Sequence, residues 1–204
     1  MGFAAALLGL AAGCGAEPAA PLPTAARAEG VTLQATSGET EYRVALAGAE
    51  ADVSGGGEIA ATGTTVSAAA ASAPPLDIRA KRSTWDLKGR SARFEGAVVV
   101  TRGPVTLRCA TLDVRYAGAD VIDTVVATGG VTVDRGGRHA SAERAELVGR
   151  TGKITLTGRP KLSEGVNALE GERIVLWLDE ERADCEGGEG GPCRLVVAAD
   201  ALGR

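Results

Sequence analysis

The chain has 204 residues, with 26 Asp and Glu against 22 Lys and Arg for a net charge of −4, and 3% aromatic residues. An acidic balance argues against a nucleic-acid partner, whose phosphates demand a basic face; residues such as Arg93, Arg108 and Arg115 are scattered along strand exteriors. With 29 Gly and 8 Pro the chain has little room for long helices, and its length suits one β-domain of about 150 to 170 residues plus a tail.

Residues 1–14 open with MGFAAALLGLAAG, apolar and uncharged, followed by Cys14. About ten apolar residues are too few to span a bilayer, which takes ~20, and they suit the apolar region of an export signal. Leu10-Ala-Ala-Gly13 before Cys14 is similar to a bacterial lipobox, so Cys14 is the expected lipidation site; the Leu stands one position further from the Cys than usual, and no Lys or Arg precedes Arg27. The alternative is an ordinary secretory signal. Residues 15–30 read as a Pro/Ala linker, either a semi-rigid spacer or a terminus with no spacing role.

The domain is expected over residues 31–190, with a C-terminal tail over 191–204. Its organising signal is a repeat. Ala92–Val100 alternates with period two, with Ala92, Phe94, Gly96, Val98 and Val100 on one face, as a half-buried strand does. Similar stretches carry Gly at 63, 96, 129, 158 and 187, steps of 33, 33, 29 and 29. A second form, small-x-x-apolar-x-apolar, recurs in step at Cys109–Val114, Ala142–Leu147 and Gly171–Leu176. A near-fixed period of this size marks units that bury their faces only by stacking. The expectation is an all-β, open two-sheet sandwich of about five two-strand repeats.

Within it, Ser67–Pro75 reads as a long loop. Between Leu107, Cys109 and Leu112, Val114 the inward parity changes, which a β-bulge or sharp bend near Ala110 and Thr111 would reconcile. Turns are expected at Arg102–Pro104, Gly118–Asp120, Arg135–Gly137 and Gly149–Gly152.

Chemistry is sparse. The one His, His139, leaves a Gly-Gly turn two residues before Ser141, with no nucleophile elbow around that serine. No enzyme activity, metal or cofactor is expected. The acidic run Asp179-Glu-Glu, Asp184, Glu186, Glu189 lacks the spacing of a calcium loop and reads as a solvated end. Cys185 and Cys193 enclose EGGEGGP, and in an oxidising compartment they are expected to form a disulfide; reduced, Cys185 would fill an inward slot like those of Phe94 and Leu156. Cys109, in the slot of Ala142 and Gly171, reads as inert core.

Phe94-Glu-Gly-Ala-Val-Val-Val, Ala127-Thr-Gly-Gly-Val-Thr-Val, and Ile154-Thr-Leu-Thr-Gly-Arg-Pro-Lys-Leu with Asn167-Ala-Leu-Glu-Gly171 resemble the OstA-like domain of the LptA/LptC family of periplasmic lipopolysaccharide-transport proteins, best over residues 80–187. The resemblance implies a twisted β-jellyroll, open at its ends, whose apolar interior carries acyl chains and whose edges pair with related jellyrolls into a bridge between two membranes. The lipobox-like Cys14 departs from it, since LptC-type members have a transmembrane helix and LptA-type members no anchor.

The expected lipid-groove lining is Phe94, Val98, Val100, Leu112, Val114, Val131, Val133, Ile154, Leu156, Leu162, Ile174 and Leu176. Such a groove needs apolar walls without buried charge. The partners that the resemblance implies are lipopolysaccharide or a similar lipid and other jellyroll proteins, and the lipobox-like segment adds a membrane through a lipid on Cys14. The competing reading is a lipid-anchored scaffold in which the same residues simply fill the sandwich.

Overall fold

The computed structural model describes residues 25–37, 40–52, 57–70, 73–117, 121–177, 182–188 and 191–197. The signal segment, Cys14, most of the Pro/Ala linker, the turn at 118–120 and Asp179–Glu181 lie outside the described residues. The strands are β1 (Ala25–Ser37), β2 (Thr40–Asp52), β3 (Glu58–Ala70), β4 (Ala73–Asp86), β5 (Ser91–Arg102), β6 (Val105–Tyr116), β7 (Ile122–Arg135) and β8 (Arg138–Val148), then the short β9 (Lys153–Thr157), β10 (Lys161–Glu164), β11 (Asn167–Glu170), β12 (Arg173–Trp177), β13 (Ala183–Glu186) and β14 (Arg194–Val196). All pairings are antiparallel, and the described residues contain no helix.

From β1 to β8 each strand pairs with the next, and the path then forks. The Arg138–Ser141 half of β8 carries β10, β11 and β14; its Arg144–Val148 half carries β9, β12 and β13. The six short strands are thus three more long strands, each interrupted at its middle. Gly158-Arg159-Pro160 separates β9 from β10, and the proline, lacking an N–H, cannot continue a ladder.

The interruption sits where the longer strands bend. On β6 the inward residues Cys109 and Leu112 are three apart, and on β8 Ala142 and Ala145 are too; on β5 Phe94 and Val98 are four apart, as are Ala127 and Val131 on β7. β5 and β7 therefore carry one extra residue each, seen as register shifts at Gly96-Ala97 and Gly129-Gly130. All four of these residues have positive φ. The bend lets residues from both halves of a strand reach one core, which joins Phe94, Leu112, Ala127 and Leu156 from one half to Val98, Cys109, Val131 and Ala142 from the other. Two facing layers result, continuous through the bends.

Three features differ from the sequence reading. Ser67–Pro75 is not a long loop: β3 runs to Ala70 and β4 starts at Ala73. Alanine has weak strand preference, but Val66 opposite Ile78 and Ala68 opposite Leu76 hold the hairpin in register, and Pro74 and Pro75 are tolerated because they open the strand. Ala25–Gly30, read as the end of the linker, begins β1, and Arg194–Val196, read as tail, forms β14. The bend expected near Ala110 and Thr111 is present as the shift in register between Arg108 and Thr111, and the extra residue lies on the flanking β5 and β7.

Candidate functional site: an apolar interior between two layers

Two cross-strand rows run the length of the molecule. In one layer Leu33, Val44, Val66, Ile78, Val100, Leu107, Val133, Ala140, Leu162, Leu169 and Leu195 stand opposite one another in turn, from β1 to β14. In the other, Ala28, Ala49, Ala61, Ser83, Phe94, Leu112, Ala127, Ala145, Leu156, Ile174 and Cys185 do the same from β1 to β13. Rows exist because an antiparallel pair puts directly opposed side chains on the same face.

Of the residues expected to line a groove, Phe94, Val98, Leu112, Val114, Val131, Leu156 and Ile174 are buried. Val100, Val133, Ile154, Leu162 and Leu176 are partly buried and pack against that cluster. All twelve thus belong to one interior. In the middle of the stack it is densely filled: Phe94, Val98 and Ile174 are each 0% exposed.

Towards β1 the interior changes character. Phe94 gives way to Ser83, Ala61, Ala49 and Ala28 across successive strands, so less side-chain volume separates the layers. Exposure does not follow the same trend: both ends of the first row are open, Leu33 at 53% and Leu195 at 64%, whereas Val66 and Ile78 are buried. The boundary is marked by Trp85 and Phe94, stacked edge to face at 5.4 Å, and by a polar cluster in which the Trp85 indole N–H donates to Ser83 Oγ at 3.0 Å and Ser83 meets Thr64 Oγ1 at 2.8 Å. These hydroxyls are satisfied by one another, so burying them costs little.

Charge stays outside. Arg93–Asp113 and Arg108–Asp134 pair at 3.0 Å across neighbouring strands, and Arg144–Glu146 at 2.9 Å within one, all on the solvated face. An exposed recess of about 760 Å³ on that face is lined by Thr84, Arg93, Asp113, Arg115, Arg144 and Glu146; the guanidinium groups of Arg93 and Arg144 are met by carboxylates. His139, half exposed, places Nδ1 2.7 Å from Asp134 Oδ1. That hydrogen bond, with Arg108 nearby, holds the Asp134 carboxyl below its ordinary range. Asp184 and Glu186 of the acidic run are paired with Arg182 and Arg173. Cys185 and Cys193 form a disulfide, and Cys109 is a buried free thiol that burial pushes up to about 11.

The N-terminal part of the interior was missing from the sequence reading. Leu33, Val44, Val66 and Ile78 complete one row, Ala49 and Ala61 the other. A signal was present: Gly30 lies 63 − 30 = 33 residues before Gly63, one full period, and both have positive φ.

The LptA/(LptD N-terminal domain) LPS transport protein family matches residues 77–182, just over half of the chain. Among solved structures the chain is similar to LptH of Pseudomonas aeruginosa, described as the LptA homologous periplasmic component of the conserved lipopolysaccharide transport device. The TM-score is 0.55 at 19% identity, covering 61% of this chain and 96% of that one. That likeness establishes the fold, an open β-jellyroll. No curated protein sequence matches the chain.

Proposed function

This chain belongs to the LptA/LptD N-terminal-domain family of lipopolysaccharide-transport proteins, and on that premise we propose that it is a periplasmic lipopolysaccharide-transport component that holds acyl chains between its two layers. The observation that carries the reading is the unbroken apolar row from Leu33 to Leu195, with charge kept to the opposite face. A slot for acyl chains needs that arrangement: apolar walls along the direction of passage and no buried charge to strip of water. The lining would be the twelve residues from Phe94 to Leu176 named above, extended by Leu33, Val44, Val66 and Ile78.

The N-terminal end is where a lipid would enter, because the second row there is built of the small side chains Ala28, Ala49 and Ala61. The filled middle would have to part for chains to pass further. That filling is also the observation favouring the second reading, a lipid-anchored scaffold without cargo.

A charge introduced into the entry separates the two. Val44→Glu, at a partly buried inward site, should weaken lipopolysaccharide binding about tenfold or more, since a carboxylate would face the chains. The outward neighbour Arg43→Glu should leave it within about twofold, as surface charges contribute little. Fluorescence competition with purified lipopolysaccharide reads the difference; equal affinities for wild type and Val44→Glu, or no binding at all, favour the scaffold.

Two further elements complete the proposal. Edge strands such as β1, which pairs only with β2 among the described residues, would join related jellyrolls in a bridge between inner and outer membrane. Cys14 would carry a lipid anchor; the mass of the N-terminal peptide tests it, with an unmodified thiol in the exported protein ruling it out.

A further inference from the structure

The apolar row through Ile78, Val100, Leu107, Val133, Ala140 and Leu162 is not the last one on its face. Side chains two residues apart on a strand point the same way, so each of these has an inward neighbour one step closer to the hairpin ends. That rim row runs from Leu76 through Arg102, Val105, Arg135 and Arg138 to Glu164, each opposite the next. Charge thus returns to the inward face at its rim. The three arginines are exposed there, so no charge is stripped of water.

These arginines are not neutralised as those of the outward face are. Outside, Arg93, Arg108 and Arg173 meet carboxylates at 3.0, 3.0 and 3.3 Å. At the rim Glu164 lies 3.1 Å from Arg138, and among the described residues Arg102 and Arg135 pair with no carboxylate. Arg135 stands directly opposite Arg138, and like charges so placed destabilise a sheet. An anion between them removes that cost. The turn they flank leaves the approach clear, since a Cβ on Gly136 or Gly137 would meet nothing within 4 Å. The lip of the other layer is of a different kind: at its hairpin ends Trp85, Tyr116 and Ile122 are partly buried against the core. The mouth of the interior is therefore apolar on one side and cationic on the other.

We propose that the rim formed by Arg102, Arg135 and Arg138 is a headgroup subsite: it holds a phosphate of a lipid whose acyl chains lie between the layers. A guanidinium meets a phosphate with two parallel hydrogen bonds. Arg135 and Arg138, about 5 Å apart at Cα across one rung, are placed to share one phosphate. A lipid is favoured over an acidic peptide because the rim row lies only about 7 Å along the strands from the apolar row, so one amphipathic molecule reaches both. The subsite rests on the lipid-carrier reading above and gives it an orientation, with the headgroup at this rim and the chains inside.

Fluorescence competition on the full chain tests it, with purified lipopolysaccharide and with the same lipid stripped of its phosphates. Wild type should bind the phosphorylated form about tenfold or more tightly than the stripped form. Arg102→Gln/Arg135→Gln/Arg138→Gln should lose that preference yet keep wild-type affinity for the stripped form, a sign that the interior is intact. Arg43→Gln/Arg79→Gln/Arg115→Gln removes the same charge from outward positions, each next to an inward Val44, Ile78 or Val114, and should keep the preference. Equal loss of preference in both triple variants overturns the rim as the subsite. Millimolar inorganic phosphate should leave the preference in place; if it abolishes it, free phosphate is the occupant and the headgroup assignment falls. Binding of both lipids by wild type without preference overturns the rim alone, whereas binding of neither overturns the lipid-carrier reading and the rim with it.

Discussion

Cys109 shows how a single position reports its surroundings. It stands opposite Val98 on the inward face of β6 and is 6% exposed. Burial disfavours the thiolate, so its pKa rises from the ordinary 9.0 to about 11, against a smaller lowering by a backbone hydrogen bond from Thr111. The folded thiol keeps its proton to higher pH than the unfolded one. Its contribution to stability is therefore complete below the unfolded value and is lost as pH climbs through the folded one. Two outcomes are expected. Near pH 8, Cys109 in the native chain should resist iodoacetamide and be fully alkylated in urea, as mass spectrometry would record. Cys109→Ala should flatten the fall of the urea midpoint between about pH 9 and 11, where the thiol titrates; an unchanged fall would contradict the buried placement. This residue was legible in the sequence, because it fills the small-residue slot of a repeat whose other members are Ala142 and Gly171. Leu33 and Val44 were not: the alanine-rich surroundings of the first two strands carry almost no strand preference.

At the scale of the element, the bend decides the fold. The long strands turn from one layer into the other without breaking their ladders, and on β7 glycine permits this in two ways. Gly129 has φ +81°, and a Cβ there would sit 2.6 Å from the Cβ of Ala110; Gly130 has φ +63° with open space around it. Gly130→Ala should therefore cost only the backbone penalty, about 1–2 kcal/mol. Gly129→Val should cost about 2–5 kcal/mol, since backbone strain and crowding against β6 add. Urea unfolding of the two variants gives the comparison, and equal losses would mean that close approach at the bend does not matter. The glycine period was visible in the sequence, but its meaning was not. A periodic Gly shows that something recurs, whereas the extra residue on β5 and β7 follows from pairing register, which no single strand carries. The hairpin at Ser67–Pro75 was hidden for a related reason: its strand character comes from β2 and β5 on either side.

Taken whole, the molecule is an open stack with unlike ends. The first strand has 13 residues and belongs to both layers, whereas the last rung is split into strands of 4 and 3 residues fastened by a disulfide. Between them the interior changes from an alanine-lined N-terminal end to a filled middle at Phe94. The repeat and its inward Val and Leu made the sandwich readable from sequence, and the family resemblance supplied the jellyroll. The change along the interior was not readable, because it depends on which residues of distant repeats come to stand opposite one another.

The central claim is that lipid travels along the inward rows. Site-specific photo-crosslinking from within cells tests it most directly, with a benzophenone side chain at inward Val44 or Leu107 and at the outward neighbours Arg43 or Arg108. Lipopolysaccharide adducts from the inward pair and none from the outward pair are expected. Adducts absent from the inward pair, or equally abundant on both faces, would contradict the account.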